Sequence, residues 1–569
     1  MAIAFSSGVH ATERSLSPEQ QSEQFLREQQ QQLKLLERER NLRELERSLK
    51  AITPILPEPA PAAAERDICF PIEKVEILDS DNLYAFEKQG LTEPYLNQCL
   101  SVDDIDRLRI DIDRHYISKG WILSRTYLVP NQNLKSGILQ FKVLEGRLDS
   151  IKLNDDRLGN RLQVMAAFPG MLDEVVYIRD IEQGLEQINR LASNNATMDI
   201  VPVPERPGYG GMNIKNQAED RFRSYLSYDN LGSDSTGREQ AKIIADADNI
   251  LSLNDHWMLV GARYAGSDDD VKDSSSVNLN LSVPYGYWTI DVGHSRSTYL
   301  TTVDDDLGVF HLSGDSVSNK IKLSRILHRD SVSKSGFGVD LTVKENDSYL
   351  EDVRLETSSR KLTIFTIDAQ HARRTGGGIW SLSAAYARGL DLFGAVEDGP
   401  IREDDVPRGQ FEKLSVDMSL IQALSMLGDA YSYRGILSAQ MSRDPLFGSE
   451  QMSIGDSSTV RGFRNSPLAG DSGAFLRNDL QWSSPSNYGL TVSFGVDAGY
   501  VVAKNGNIAN SGDPEATLVG MALGAHQTYS WSRSQSLTWS LTYAKPLRYP
   551  AYVEPDSNAL YASLNWKWL

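Results

Sequence analysis

The segment Thr459-Val460-Arg461-Gly462-Phe463 sits in a long non-periodic stretch, 443–472, between two strand-like runs. Downstream, Phe494-Gly495-Val496-Asp497-Ala498-Gly499 lies on a strand of strict period two. Side chains alternate across a strand. Leu490, Val492, Phe494, Val496, Ala498 and Tyr500 therefore share an apolar face, and Thr491, Ser493, Gly495, Asp497 and Gly499 share the other. Gly495 and Gly499 flank Asp497 on its own face and leave room for another backbone to approach. An arginine at a loop tip and a lone carboxylate on a polar strand face predict a loop folded back into a barrel. Inside a narrow lumen the Arg461–Asp497 contact would be bidentate and only partly hydrated. The plainer alternative is an arginine solvated at the cell surface and an aspartate that merely lines a pore.

The same alternation runs from residue 221 to the end. Val277, Leu279, Leu281 and Val283 alternate with Asn278, Asn280 and Ser282, and Trp288, Ile290 and Val292 with Thr289, Asp291 and Gly293. Leu537, Trp539, Leu541 and Tyr543 repeat the pattern, as do Leu560, Ala562, Leu564, Trp566 and Trp568. Strands are expected near 221, 241, 256, 275, 287, 318, 335, 361, 378, 411, 431, 473, 489, 516, 534 and 558. One alternating strand also suits a soluble sandwich. The number of segments, the short/long alternation of connections and the aromatic residues near strand ends favour an antiparallel sixteen-stranded transmembrane β-barrel over 220–569. An even number returns both barrel ends to one side. The 443–472 segment then joins the eleventh and twelfth strands, and Asp497 falls on the thirteenth.

Upstream, 67–146 and 147–219 read as two small α+β modules in tandem. The first expects a strand over 72–78, a helix capped by Ser101 with Ile105, Leu108, Ile112 and Tyr116 on one face, and strands over 121–129 and 137–145. The second expects a strand over 148–153, helices over 157–167 and 177–193, and strands over 197–202 and 211–215. Residues 53–66, with four prolines, read as a semi-extended linker. Before it, 15–52 is a charged helix started by Ser17-Pro18, with Phe25 and Leu26 on an irregular apolar stripe. Residues 1–14 lack a basic leader region and stand outside the fold, as a residual leader or an added segment.

Composition narrows the function. Hydrophobic residues make up 40% and the mean hydropathy is −0.37, as expected where only every second barrel residue meets lipid. A net charge of −19 without a basic stripe argues against nucleic acid. The sequence shows no phosphate-binding loop and no metal-ligand spacing. Gly470-Asp471-Ser472-Gly473 matches the surroundings of a protease serine but reads as a turn, because no histidine is paired with an acid. The two cysteines, Cys69 and Cys99, suit free thiols or one local disulfide by count alone.

The order of helix, proline-rich linker, two modules, barrel and Val460-Arg461-Gly462-Phe463 loop resembles the TpsB transporters of two-partner secretion, a branch of the Omp85 superfamily. Tyr228-Asp229-Asn230-Leu231-Gly232, Ser235-Thr236-Gly237-Arg238 and Asp248-Asn249 at the barrel start resemble that family too. The resemblance implies that the modules are POTRA-like domains in the periplasm of a Gram-negative cell. The barrel would then sit in outer-membrane lipid, and 15–52 would be a plug helix in its lumen. The implied partners are a large secreted exoprotein of TpsA type, bound through the POTRA-like domains, and the barrel assembly machinery. The cargo class is an adhesin, a haemolysin or a contact-dependent inhibition toxin. The chain is expected to be monomeric, to use no cofactor and to be no enzyme. Export favours a Cys69–Cys99 disulfide. Family barrels end on an aromatic assembly signal; here Trp566 and Trp568 precede a terminal Leu569. The rival readings are an assembly factor of the BamA type and a barrel enzyme.

Overall fold

The computed structural model describes residues 21–27 and 69–568, apart from 268–270, 306–307, 400–405, 427–428, 486–488, 505–507, 509–510, 533 and 556–557. The expectations for residues 1–14, for most of the 15–52 helix, for the 53–66 linker and for Leu569 lie outside the described residues.

Sixteen strands form one closed antiparallel barrel: Phe222–Asp229, Gln240–Asp248, His256–Tyr264, Asp273–Tyr285, Trp288–Asp305, Gly308–Arg329, Ser333–Leu350, Arg360–Thr375, Gly378–Leu390, Glu412–Met426, Asp429–Ser442, Ser472–Ser483, Thr491–Val502, Glu515–Ser530, Ser536–Arg548 and Ala559–Lys567. A two-residue strand, Val353–Arg354, only extends the seventh. The seam between last and first strands is short, registering Ser563–Lys567 against Asp229–Tyr225. Asn230 lengthens it with its side chain: its Nδ2 donates to the Leu560 carbonyl (3.0 Å) and its Oδ1 accepts from Ala562 N (2.8 Å).

The sixth strand corrects the sequence reading. It begins at Gly308, not near 318, and pairs with the fifth from Trp288↔Arg325 to Asp305↔Gly308. Apolar alternation stops where lipid stops, but the hydrogen-bond ladder needs no lipid. On the outer face Trp288, Ile290 and Val292 give way to His294 and Arg296, and Arg296 pairs with Asp315 (2.7 Å). The ladder continues past that apolar band.

In the first module the expected 72–78 strand is two strands in different sheets. Cys69–Ile72 pairs with Gln98–Ser101, while Lys74–Leu78 runs parallel to Ile138–Leu144. The expected 121–129 strand shortens to Arg125–Leu128, because residues 122–123 turn and Ile122 and Leu123 pack on the second module's core. The helix Val102–Ser118 starts as its sequence dictates. Ser101 Oγ accepts from Asp104 N, Asp104 returns a bond to Ser101 N, and Ile105, Leu108, Ile112 and Tyr116 are buried. Such a cap stabilises a helix by about 1 kcal/mol.

The second module is a sheet of Arg147–Leu153, Tyr209–Asn216 and Ala196–Pro202 backed by helices Leu158–Ala167 and Ile178–Asn189. Two of its buried polar side chains, Gln183 and Gln187, are explained by the barrel. Gln183 and Gln187 both donate to the Gly286 carbonyl (3.0 and 2.8 Å), and Asn254 donates to Gln163 O (2.9 Å). Lys334 reaches Glu186 (2.6 Å), and Asp248 Oδ2 accepts from Ser193 N (2.9 Å). The second module is thus hydrogen-bonded to three successive barrel turns.

Candidate functional site

The segment 443–471 leaves the eleventh strand and turns into the barrel. Within it Met452–Ile454 pairs with Leu468–Gly470 as a small hairpin. Asp456 Oδ1 accepts from Ser458 N (2.6 Å) and Thr459 N (2.9 Å), which tightens the turn before Val460. Ile454, Val460, Phe463 and Leu468 bury against Phe475, Val501 and Leu518 of the wall.

Asp497 is fully buried on the inner face of the thirteenth strand, and Arg461 is 4% exposed. The guanidinium grips Asp497 with two bonds, Nε to Oδ2 (2.6 Å) and Nη2 to Oδ1 (2.9 Å). The Arg461 backbone N–H adds a third (3.2 Å). Arg461 Nη1 donates to Asp479 Oδ1 (2.7 Å) and Nη2 to the Asn478 carbonyl (3.2 Å). Arg477 shares Asp479 (3.4 Å) and holds the loop through the Ser457 carbonyl (2.7 Å). Two arginines thus face two aspartates, and the Arg461 and Asn478 backbone N–H groups also donate to Asp497. A buried pair holds only when its groups are satisfied in this way.

Small residues make this approach possible. A Cβ on Gly495 would stand 2.2 Å from Arg461 Nη2, and one on Gly499 would stand 2.8 Å from Val460 Cγ2. On the fourteenth strand a Cβ on Gly520 would stand 1.9 Å from the Arg461 carbonyl oxygen. Gly462 has φ +106° and lies against the Lys545–Pro546 backbone, so a side chain there meets both strain and collision. Phe463 is fully buried and meets Tyr549 edge-on. Arg464 lies over the Tyr561 ring (4.3 Å).

The sequence pattern named Arg461, Asp497 and the two flanking glycines, and the structure brings them together. It did not name Asp479, Arg477, Gly520 or Tyr561. Asp479 lies on the inner face of the twelfth strand among other polar residues that gave no reason to single it out, and nothing local marks Gly520 as a contact.

The base of the loop meets the N-terminal helix. Glu450 is clamped between Lys344 and Lys413 (2.6 Å each). Arg27 donates to Gln451 Oε1 (3.2 Å). On the same helical segment, Phe25 packs on Tyr299 (4.2 Å), Ser22 bonds Ser348 (2.6 Å), and Glu23 pairs with Arg360. Tyr299, Ser348 and Arg360 all point inward by strand parity.

Elsewhere, Cys69 and Cys99 form a disulfide with Cα atoms 5.3 Å apart. Trp566 faces outward and packs on Trp568 (5.7 Å), which follows the last strand. Asp471 of the protease-like stretch accepts from Leu446 N and Lys504 N (2.7 Å each), a structural role. Among the described residues no cluster of three or more metal-ligating side chains occurs.

The model of haemolysin secretion/activation proteins, ShlB/FhaC/HecB, matches residues 208–527, more than half of the chain. This chain belongs to that family. A POTRA domain of ShlB type matches 70–146 and a second POTRA domain matches 147–202. The outer membrane transporter CdiB of Dickeya dadantii is 32% identical over 98% of this chain and 94% of its own length. The hemolysin transporter protein ShlB of Serratia marcescens is 32% identical over 80% of each chain. The solved structure of CdiB from Escherichia coli superposes with a TM-score of 0.82 at 31% identity, covering 98% of this chain and all of that one. The fold is that of an outer-membrane β-barrel with N-terminal POTRA domains on the periplasmic side, and the family is one of transporters rather than enzymes.

Proposed function

We propose that this member of the ShlB/FhaC/HecB family conducts one large unfolded exoprotein, of adhesin, haemolysin or contact-dependent inhibition type, from periplasm to cell surface. The observation that carries this reading is a closed barrel occupied by its own loop, tied to the wall by Arg461 on Asp497 and Asp479. The helical segment 21–27 acts as a second obstacle on the same lumen. Exposed strand edges of the POTRA domains, Lys74–Leu78 and Arg125–Leu128 in the first and Ala196–Pro202 in the second, offer backbone to an extended client. Folding outside the cell supplies direction in place of ATP. The chain works as a monomer and reaches the membrane through the barrel assembly machinery, which reads its last strand.

The test is co-expression with a candidate large exoprotein of TpsA type from the same genome, scoring surface release with and without this chain. Release only in its presence supports transport. Unchanged release, together with loss of other barrels from the outer membrane when this chain is deleted, would instead mark an assembly factor.

A further inference from the structure

The outer face of the barrel carries a concavity of about 590 Å3 across the seam, within the range of about 300–1,000 Å3 common for ligand sites. Strand register resolves it into two adjacent rows of outward side chains. One row runs Leu564–Tyr228–Ala241–Arg263–Ser275. The other runs Trp566–Leu226–Ile243–Gly261–Val277 and ends on Arg296. Ala241, Gly261 and Ser275 make a shallow floor, and Trp566, Leu226, Tyr228, Ile243 and Val277 make an apolar rim.

The two ends differ in chemistry and in depth. Trp566 stands at the periplasmic end of the last strand, whereas Arg296 marks the upper limit of the apolar band on the fifth. The rows therefore climb diagonally from the inner side of the bilayer to the outer headgroups. Arg263 and Arg296 wait at the upper end with side chains 68% and 64% exposed. Asp273 lies 3.6 Å from Arg263, and Asp315 lies 2.7 Å from Arg296. Each guanidinium carries five N–H donors in a fork, more than one carboxylate engages.

We propose that this groove is a binding site for a phosphorylated, acylated glycolipid of the outer leaflet, with an acyl chain along the small-residue floor and phosphate on Arg263 and Arg296. An acyl chain suits a lipid-immersed apolar groove. A phosphate suits two arginines at headgroup level. A bound chain also covers the short seam between last and first strands, so the lipid braces barrel closure where the ladder is weakest. The inference rests on the outer-membrane placement and not on secretion.

The test uses the full chain, purified and stripped of lipid in detergent, with purified lipid A or phosphatidylethanolamine added at equal concentration and bound lipid counted by native mass spectrometry. The wild type should retain one lipid A in preference to phosphatidylethanolamine. Ala241→Leu with Gly261→Leu should fill the floor and lower lipid A retention roughly tenfold, equivalent to about 1.4 kcal/mol. Arg263→Gln with Arg296→Gln should abolish the preference while leaving some acyl binding, and this variant leaves the apolar wall untouched. Equal retention of both lipids by the wild type, or undiminished lipid A on the filled variant that still migrates as a folded barrel, overturns the proposal. Secretion is not read, so failure here leaves the transport reading standing.

Discussion

Arg461 has two carboxylates within reach, and their removal should not be equivalent. Asp497 accepts two bonds from the guanidinium and one from the Arg461 backbone N–H, while Asp479 accepts one from Arg461 at Oδ1 and meets Arg477 with Oδ2. Breaking a buried pair from one side costs about 3–5 kcal/mol, because the remaining charge stays buried without its partner. Asp497→Ala should therefore release the loop and sharply reduce exoprotein release, with Asp479→Ala milder. Heat-modifiable migration should show a folded barrel in both. Wild-type release by Asp497→Ala would sink the latch. Gly520→Val should reproduce the Asp497 defect without touching a charge, since its side chain meets the Arg461 carbonyl. Asp497 was legible in sequence because it is a single carboxylate between glycines on a polar face. Gly520 was not, because the loop approaching it is remote in sequence and leaves no local mark on its strand.

Among elements, the first POTRA domain and the contact of the second with the barrel give separate tests. The Cys69–Cys99 bond closes a loop of sequence separation 30, for which the chain-entropy model gives about 3–4 kcal/mol. Reduction, or Cys99→Ser, should make 69–146 the first segment cut by protease while the barrel stays resistant. Asp180, which accepts from the Tyr287 hydroxyl (2.6 Å), ties the Ile178–Asn189 helix to a barrel turn. Burial pushes its carboxyl up, and the tyrosine hydrogen bond only opposes this. With the folded value raised, the folded state holds the proton more tightly than the unfolded one. Stability from this group is then present at low pH and is lost as pH rises from the ordinary aspartate range through the raised value. Asp180→Asn keeps the acceptor and removes the buried charge. It should hold or raise the melting temperature at neutral pH and flatten its decline across that window; a lower melting temperature at neutral pH would contradict this reading. Strand positions were largely legible, since every second residue meets lipid. The sixth strand's start was not, because above the apolar band His311, Ser313 and Asp315 face outward while Phe310 and Leu312 face inward, so the polarity pattern is no longer apolar-out while pairing continues.

At the scale of the molecule, two segments meet inside one barrel wall. The helical segment 21–27 buries Phe25 and Leu26 on Tyr299 and Leu312 and touches the base of the loop through Arg27 and Gln451. The loop's tip is held at Asp497. Burying two such side chains is worth about 1.5–3 kcal/mol each, so Phe25→Ala with Leu26→Ala should raise the population of a displaced helix by two orders of magnitude or more, since each 1.4 kcal/mol is about tenfold. In planar bilayers this should appear as frequent openings of the conductance seen after deleting 15–52. The two obstacles share a lumen and a contact, so their effects should not add independently. Deleting 15–52 removes the Arg27–Gln451 contact as well as the helix and should loosen the loop. Arg461→Ala frees the tip but leaves the Lys344–Glu450–Lys413 clamp at the base. The deletion should therefore raise single-channel conductance more than Arg461→Ala does, and the two together more than the sum of both. Strict additivity would mean that helix and loop close separate paths, and an unchanged conductance in the deletion would mean that the helix does not narrow the pore at all.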